Sequence, residues 1–190
     1  MGPYIPSMLL GPEMETAPLL DLAVRFCARR LGKSERDVLR DLAGEDPEAH
    51  STLRYSIAKG LSEHLGRLGR AIRAVYLYGS AMNGDARACS DIDLIVVVDR
   101  KLDQAQTLLR RLDLALVTSY RALLGGEAGL TSLLDVHFVD AEEEEKRQGY
   151  GAIVRSTETS PVCLWRDTPR VSGAPLAGGP RAFYPLTARE

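Results

Sequence analysis

Two aspartates one residue apart, Asp91 and Asp93, stand at the head of an apolar run and are the side chains best placed to do chemistry. Side chains alternate across a strand, so a strand opening here projects both carboxylates from one face and sends Ile92 and Leu94 to the other. Two carboxylates on one face repel, and without a partner one of them has its pKa raised, so the arrangement implies a divalent cation. Mg²⁺ suits it, because this ion takes hard oxygen ligands and is commonly held by one or two carboxylates together with substrate phosphates. Gly79 and Ser80 follow an earlier apolar run directly. A glycine lets the backbone approach a ligand closely, and a hydroxyl can donate to a phosphate oxygen.

The elements that must hold these residues are two short buried strands, Val75 to Tyr78 and Leu94 to Val98, rich in β-branched and aromatic residues. The pattern Gly-Ser, ten residues, then Asp-x-Asp, carried by Gly79, Ser80, Asp91 and Asp93, resembles the signature of nucleotidyltransferases of the DNA polymerase β superfamily. The likeness is greatest to the small members called minimal nucleotidyltransferases, and it covers Ala71 to Arg166.

The resemblance implies an α/β (α+β) fold, with a small mixed sheet backed by helices and preceded here by an N-terminal helical extension. It implies a third carboxylate on a later strand, a part that Asp135 in LLDVHFVD fits. Asp91 and Asp93 would hold the nucleotide-bound Mg²⁺, and Asp135 would help hold a second ion or serve as the acceptor's general base. Gly79 and Ser80 would hold the β- and γ-phosphates of ATP or another nucleoside triphosphate. One departure stands out: many relatives carry an arginine three residues after the serine, where this chain has Asn83, and nearby Arg87 is the candidate to supply the missing charge.

The acceptor is left open. In some relatives it is a protein, a helical HEPN-type toxin. In others it is a small molecule, whose pocket a chain this short would complete only by forming a homo-oligomer. A non-catalytic antitoxin or binding module is the alternative that Asn83 supports. A further alternative is a nucleic-acid-binding regulator using residues 27–43, where Arg29, Arg30, Lys33 and Arg36 lie near a glycine turn in a helix-turn-helix-like spacing. Interleaved acids, and Lys33 and Asp41 at positions that such motifs fill with apolar residues, speak against it.

Composition excludes little. A 190-residue chain with 45% hydrophobic and 26% charged residues can bury one proper core. A net charge of -2 argues against a generally basic, nucleic-acid-binding surface. Cys27, Cys89 and Cys163 are few, odd in number and far apart, which fits reduced thiols and a cytoplasmic location. His50, His64 and His137 show no metal-ligand spacing. The first residues lack the basic and apolar regions of a signal peptide, and no apolar run reaches the ~20 residues a membrane helix needs.

Four segments follow in order. Residues 1–17, with their prolines, are expected to form an irregular arm, and residues 18–70 a helical extension. Gly32 stops its first helix, Ser34 caps a second through Leu42, and Asp46-Pro47 opens a third whose apolar face runs from Leu53 to Ile72 despite interruptions by Gly60, Gly66 and Gly69. By the resemblance, residues 71–167 would form the nucleotidyltransferase core. It contains a helix from Leu102 to Leu124 on the sheet face away from the acids and ended by Gly125 and Gly126, a strand from Leu133 to Val139, an acidic helix from Ala141 to Val154 or Arg155, and a strand from Pro161 to Arg166. Residues 168–190, rich in proline and glycine, are expected to form a loose tail.

Overall fold

The computed structural model describes residues 16–68, 71–101, 103–124, 130–156 and 160–167. The expected arm over 1–15, the stop at Gly125 and Gly126 and the tail from 168 lie outside the described residues. Helix α1 (Thr16–Leu31) begins two residues ahead of the expected Pro18 and ends before Gly32, whose φ of 65° takes the chain out of the helix. Helix α2 (Glu35–Ala43) opens on Ser34, whose hydroxyl accepts from the Asp37 N–H at 3.2 Å. Helix α3 (Pro47–Leu68) opens on Asp46, whose carboxylate accepts from the Ala49 N–H at 2.9 Å. In both cases a short polar side chain satisfies an orphan donor of the first turn.

Strands β1 (Ile72–Tyr78), β2 (Ile92–Val98), β3 (Leu134–Asp140) and β4 (Val162–Arg166) form one sheet in the order β3-β2-β1-β4. The β2–β3 pair is parallel and the other two are antiparallel, so the sheet is mixed, as expected. Helix α4 (Ser80–Asn83) follows β1, and α5 (Asp103–Leu123) crosses from β2 to β3. Beyond β3 the structure corrects the sequence reading. The single acidic helix expected over 141–155 is two, α6 (Ala141–Lys146) and α7 (Tyr150–Val154), because Arg147 (φ 52°) and Gly149 (φ 50°) both leave the right-handed region. Asp140 caps α6, in a reciprocal box with Glu143.

The sheet has two unlike faces. Val75, Leu77, Ile92, Leu94, Val96 and Leu134 point into the main core, which they share with Leu53, Ile57 and Leu61 of α3 and Leu109, Leu112 and Leu116 of α5. The opposite face carries Tyr76, Ile95, Val97 and Val139 beneath Tyr150, Ile153 and Val154 of α7. Period-two alternation therefore assigns Asp93 and Asp135 to the face that α5 does not cover.

Helix α3 stops at Leu68, short of the expected Ile72, which opens β1, and two of its glycines let it pack closely. The helix runs through both, and an added Cβ would overlap the Leu19 side chain at Gly60 and the Trp165 ring at Gly66. Glycine costs a helix about 1 kcal/mol relative to alanine, and here that loss admits α1 and β4 against α3. Gly66→Ala should thus destabilise the fold by about 1–3 kcal/mol despite its better helix propensity, read as a lower urea midpoint with an unchanged slope. Among the described residues no helix is long and apolar enough to cross a membrane.

Candidate functional site

The site is built where three strands align. Tyr78 lies opposite Asp93 in the antiparallel register of β1 and β2, and Asp93 lies beside Asp135 in the parallel register of β2 and β3. Tyr78, Asp93 and Asp135 thus form one row across the sheet. Asp91 stands just ahead of β2, on the same side by alternation. Each of the three aspartates offers a carboxylate oxygen within 4.8 Å of the others, with Asp91 exposed and the other two half-buried. The sequence places Asp91 and Asp93 together through their spacing, and the parallel β2–β3 register brings in Asp135.

Crowding has an electrostatic consequence. Burial first, then the charges of Asp91 and Asp135, push the Asp93 carboxyl up to about 6 from its ordinary 3.8. No lysine or arginine pairs with Asp91 or Asp93 among the described residues. An all-oxygen donor set with uncompensated negative charge fits a hard divalent cation such as Mg²⁺. Burial and the Asp93 charge likewise push the Tyr78 hydroxyl up, so Tyr78 is a neutral wall of the site.

Around the acids lie side chains whose part is legible only in three dimensions. His137 Nε2 is 3.0 Å from Asp135 Oδ2, and its ring stacks on Tyr150 of α7 at a centroid distance of 3.5 Å and 12° between planes. Sequence spacing puts His137 on the Asp135 face, and the contact with Asp135 places it at the site. Asp113 of α5 is a residue the sequence reading missed. Its Oδ1 accepts from the Leu133 and Leu134 N–H groups at 2.7 and 2.8 Å, and its Oδ2 accepts from the Ser132 hydroxyl at 2.8 Å, fixing the start of β3 and so the approach to Asp135. An acid in an amphipathic helix carries no sequence signal for such a contact twenty residues away.

Gly79 has φ 75° and ψ -155°, a conformation essentially confined to glycine. An added Cβ would also overlap the Asp93 carboxylate. The close approach expected of a ligand at Gly79 is therefore made, within the protein, by Asp93. The Ser80 hydroxyl opens α4 with no hydrogen-bond partner among the described residues. Asn83 is exposed at the end of α4. Arg87 is exposed too; its backbone N–H donates to Ser90 Oγ at 2.9 Å, and its guanidinium has no partner among the described residues. The structure thus ties Gly79 to the acids and shows no bond joining Arg87 to them.

Residues 61–146 match a protein-family model described as Polymerase beta, Nucleotidyltransferase, a span somewhat under half the chain that takes in Gly79, Ser80, Arg87, Asp91, Asp93 and Asp135. No curated protein and no solved structure matches the chain.

Proposed function

We propose that residues 61–146, which match that family model, make up a nucleotidyltransferase domain of the DNA polymerase β superfamily, and that the chain moves a nucleoside monophosphate, AMP from ATP in the first instance, onto a protein or small-molecule acceptor and releases pyrophosphate. The observation that carries this reading is the convergence of Asp91, Asp93 and Asp135 within 4.8 Å on the sheet face opposite α5, beside the Gly79-Ser80 turn. Transfer of this kind asks a protein for in-line positioning and neutralisation of charge more than for covalent chemistry.

Asp91 and Asp93 would hold the Mg²⁺ that arrives with the nucleotide, and Asp135 a second ion. When bound, these ions neutralise the charge on the phosphate oxygens. Asp135 also stands ready to take the acceptor's proton, with its carboxylate oriented by His137. Gly79 and Ser80 would receive the β- and γ-phosphates, Ser80 through a hydroxyl that no other described group uses. Arg87, exposed and unpaired, is the candidate cation for them in place of the absent arginine at position 83.

Within the superfamily we place the chain with the minimal nucleotidyltransferases, whose HEPN-type partners make a protein acceptor the first to test. A small-molecule acceptor would need a second copy of the chain to complete its pocket. Asn83 favours a second reading, a module that binds a HEPN-like partner without catalysis. A nucleic-acid regulator through residues 27–43 is less supported, because Lys33 pairs with Asp41 at 2.9 Å and Arg40 with Asp37 at 3.1 Å, lowering the free positive charge there.

Calorimetric titration of ATP and the other nucleoside triphosphates, with Mg²⁺ and with chelator, tests the reading. Metal-dependent binding of ATP is expected, followed by transfer of label from α-labelled ATP to an acceptor. Binding without transfer to any acceptor supports the non-catalytic module, and no binding of any nucleotide overturns the nucleotide site itself.

A further inference from the structure

Helix α3 runs beneath the segment that leads into Asp91, and one of its buried side chains is a charge. Arg54 is fully buried, and no carboxylate pairs with it among the described residues. Its donors go instead to neutral acceptors. Nε and Nη2 both donate to the Ser90 carbonyl at 2.9 and 2.7 Å, and Nη2 also donates to the Ala88 carbonyl at 3.0 Å. Nη1 donates to the His50 carbonyl at 3.3 Å and to His50 Nδ1 at 3.0 Å, while the guanidinium lies 5.4 Å from the centre of the Tyr120 ring. One turn earlier on α3, the buried Ser51 hydroxyl accepts from the Ala86 N–H at 3.1 Å.

Burying a guanidinium costs several kcal/mol unless its hydrogen bonds are well made, so the arrangement needs an explanation beyond filling space. The Ser90 carbonyl belongs to the peptide that ends in Asp91. Asp91 stands outside the β2 ladder, which begins at Ile92, where the N–H donates to the Leu133 carbonyl at 2.7 Å. From the upstream side, the Arg54 fork is what holds the Ser90–Asp91 peptide plane. A planar peptide transmits that constraint to the Asp91 Cα, and a rigid fork fixes direction as well as distance.

Resting on the function proposed above, we infer that Arg54, with Ser51 as a second anchor, is a positioning residue that holds the 86–91 segment from beneath and sets the place of the Asp91 carboxylate in the acidic cluster. It touches neither metal nor nucleotide and acts through the Ala88 and Ser90 carbonyls. Arg54→Lys keeps the charge but replaces the fork with a single point donor.

Three variants test this: Arg54→Lys, the milder Ser51→Ala, and Ile57→Val as a control on the same buried helix that leaves the segment untouched. Two readouts are taken, amide hydrogen exchange across 86–91 and the Mn²⁺ concentration for half-saturation, measured with the metal alone and with ATP. Faster exchange confined to 86–91 is expected in Arg54→Lys and, more weakly, in Ser51→Ala. The half-saturation concentration should rise about ten- to a hundredfold in Arg54→Lys, the usual cost of losing a partner that orients a metal ligand. Ile57→Val should change neither readout. Unchanged exchange in the variants overturns the anchoring, and faster exchange with unchanged metal dependence reduces Arg54 to a structural role and overturns the positioning. If Arg54→Lys does not fold, Ser51→Ala decides on both readouts. A parent protein that takes up no metal sinks the function proposed above, while the exchange measurement still decides whether α3 holds the segment.

Discussion

Asp93→Asn abolishes metal-dependent nucleotide binding and, in the same protein, raises the melting temperature of the metal-free form at pH 7. The first effect follows from the place of Asp93 at the centre of the row, between Tyr78 and Asp135, with an oxygen within reach of both other acids. The second follows from its elevated pKa. The folded protein holds the Asp93 proton up to about pH 6, whereas the unfolded chain releases it near 3.8. Between those values the folded state binds more protons, so this group's contribution to stability falls as pH rises and stays unfavourable above pH 6.

An asparagine of the same shape carries no charge, and its amide can donate to the neighbouring carboxylates. Because Asp93 is only half-buried, solvent screening cuts the relief to about 1 kcal/mol, or roughly 2–4 °C for a chain of this size. His50 supplies the contrast. Burial first, then the Arg54 charge, push its imidazole down to about 4 from 6.5, so its contribution is present above pH 6.5 and is lost as pH falls through 4. In the parent the two opposing terms overlap between about pH 4 and 6. In Asp93→Asn the Asp93 term is gone while the His50 term stays, so the variant's advantage should be small at pH 4 and complete by pH 7. Calorimetric melting from pH 4 to 8, with and without Mg²⁺, is the measurement. A variant that binds Mg-ATP as the parent does would refute the assignment, and one that melts below the parent at pH 7 would refute its electrostatic basis.

What was legible in the sequence was legible for local reasons. Ser34 and Asp46 cap the helices they precede because capping is decided within three or four residues. The paired acids could be read because a strand's period of two is a local rule. The helix break at Arg147 was not legible, since arginine is a good helix former and its left-handed conformation here becomes visible only with the backbone. That Gly60 and Gly66 admit Leu19 and Trp165 was not legible either, because a sequence shows a missing side chain without showing what moves into the space. Arg54 reaching Ser90, Asp113 reaching Leu133 and His137 stacking on Tyr150 all depend on the chain's return in space, as does the addition of Asp135 to the pair at 91 and 93. The motif marked where the site begins; these longer contacts hold it in shape.

Gly79→Ala should abolish metal-dependent nucleotide binding as completely as Asp93→Asn does, with the opposite effect on stability. A side chain at φ 75° and ψ -155° costs about 1–3 kcal/mol in backbone strain alone. The new methyl would in addition occupy the space of the Asp93 carboxylate, which has little room to yield between Tyr78 on one strand and Asp135 on the other. Melting should therefore fall by about 5 °C or more for this chain length. The two variants together separate loss of charge from loss of geometry, since one removes the carboxylate's charge in place and the other displaces the carboxylate with its charge intact. The collision itself can be isolated by a double-mutant cycle. In an Asp93→Ala background the carboxylate is gone and only the Cβ, 3.2 Å from the new methyl, is left beside Gly79, so Gly79→Ala should cost little more than the backbone strain, and the two substitutions should be markedly non-additive. If Gly79→Ala costs the same in both backgrounds, the glycine is required by its own backbone conformation and not by the aspartate packed against it.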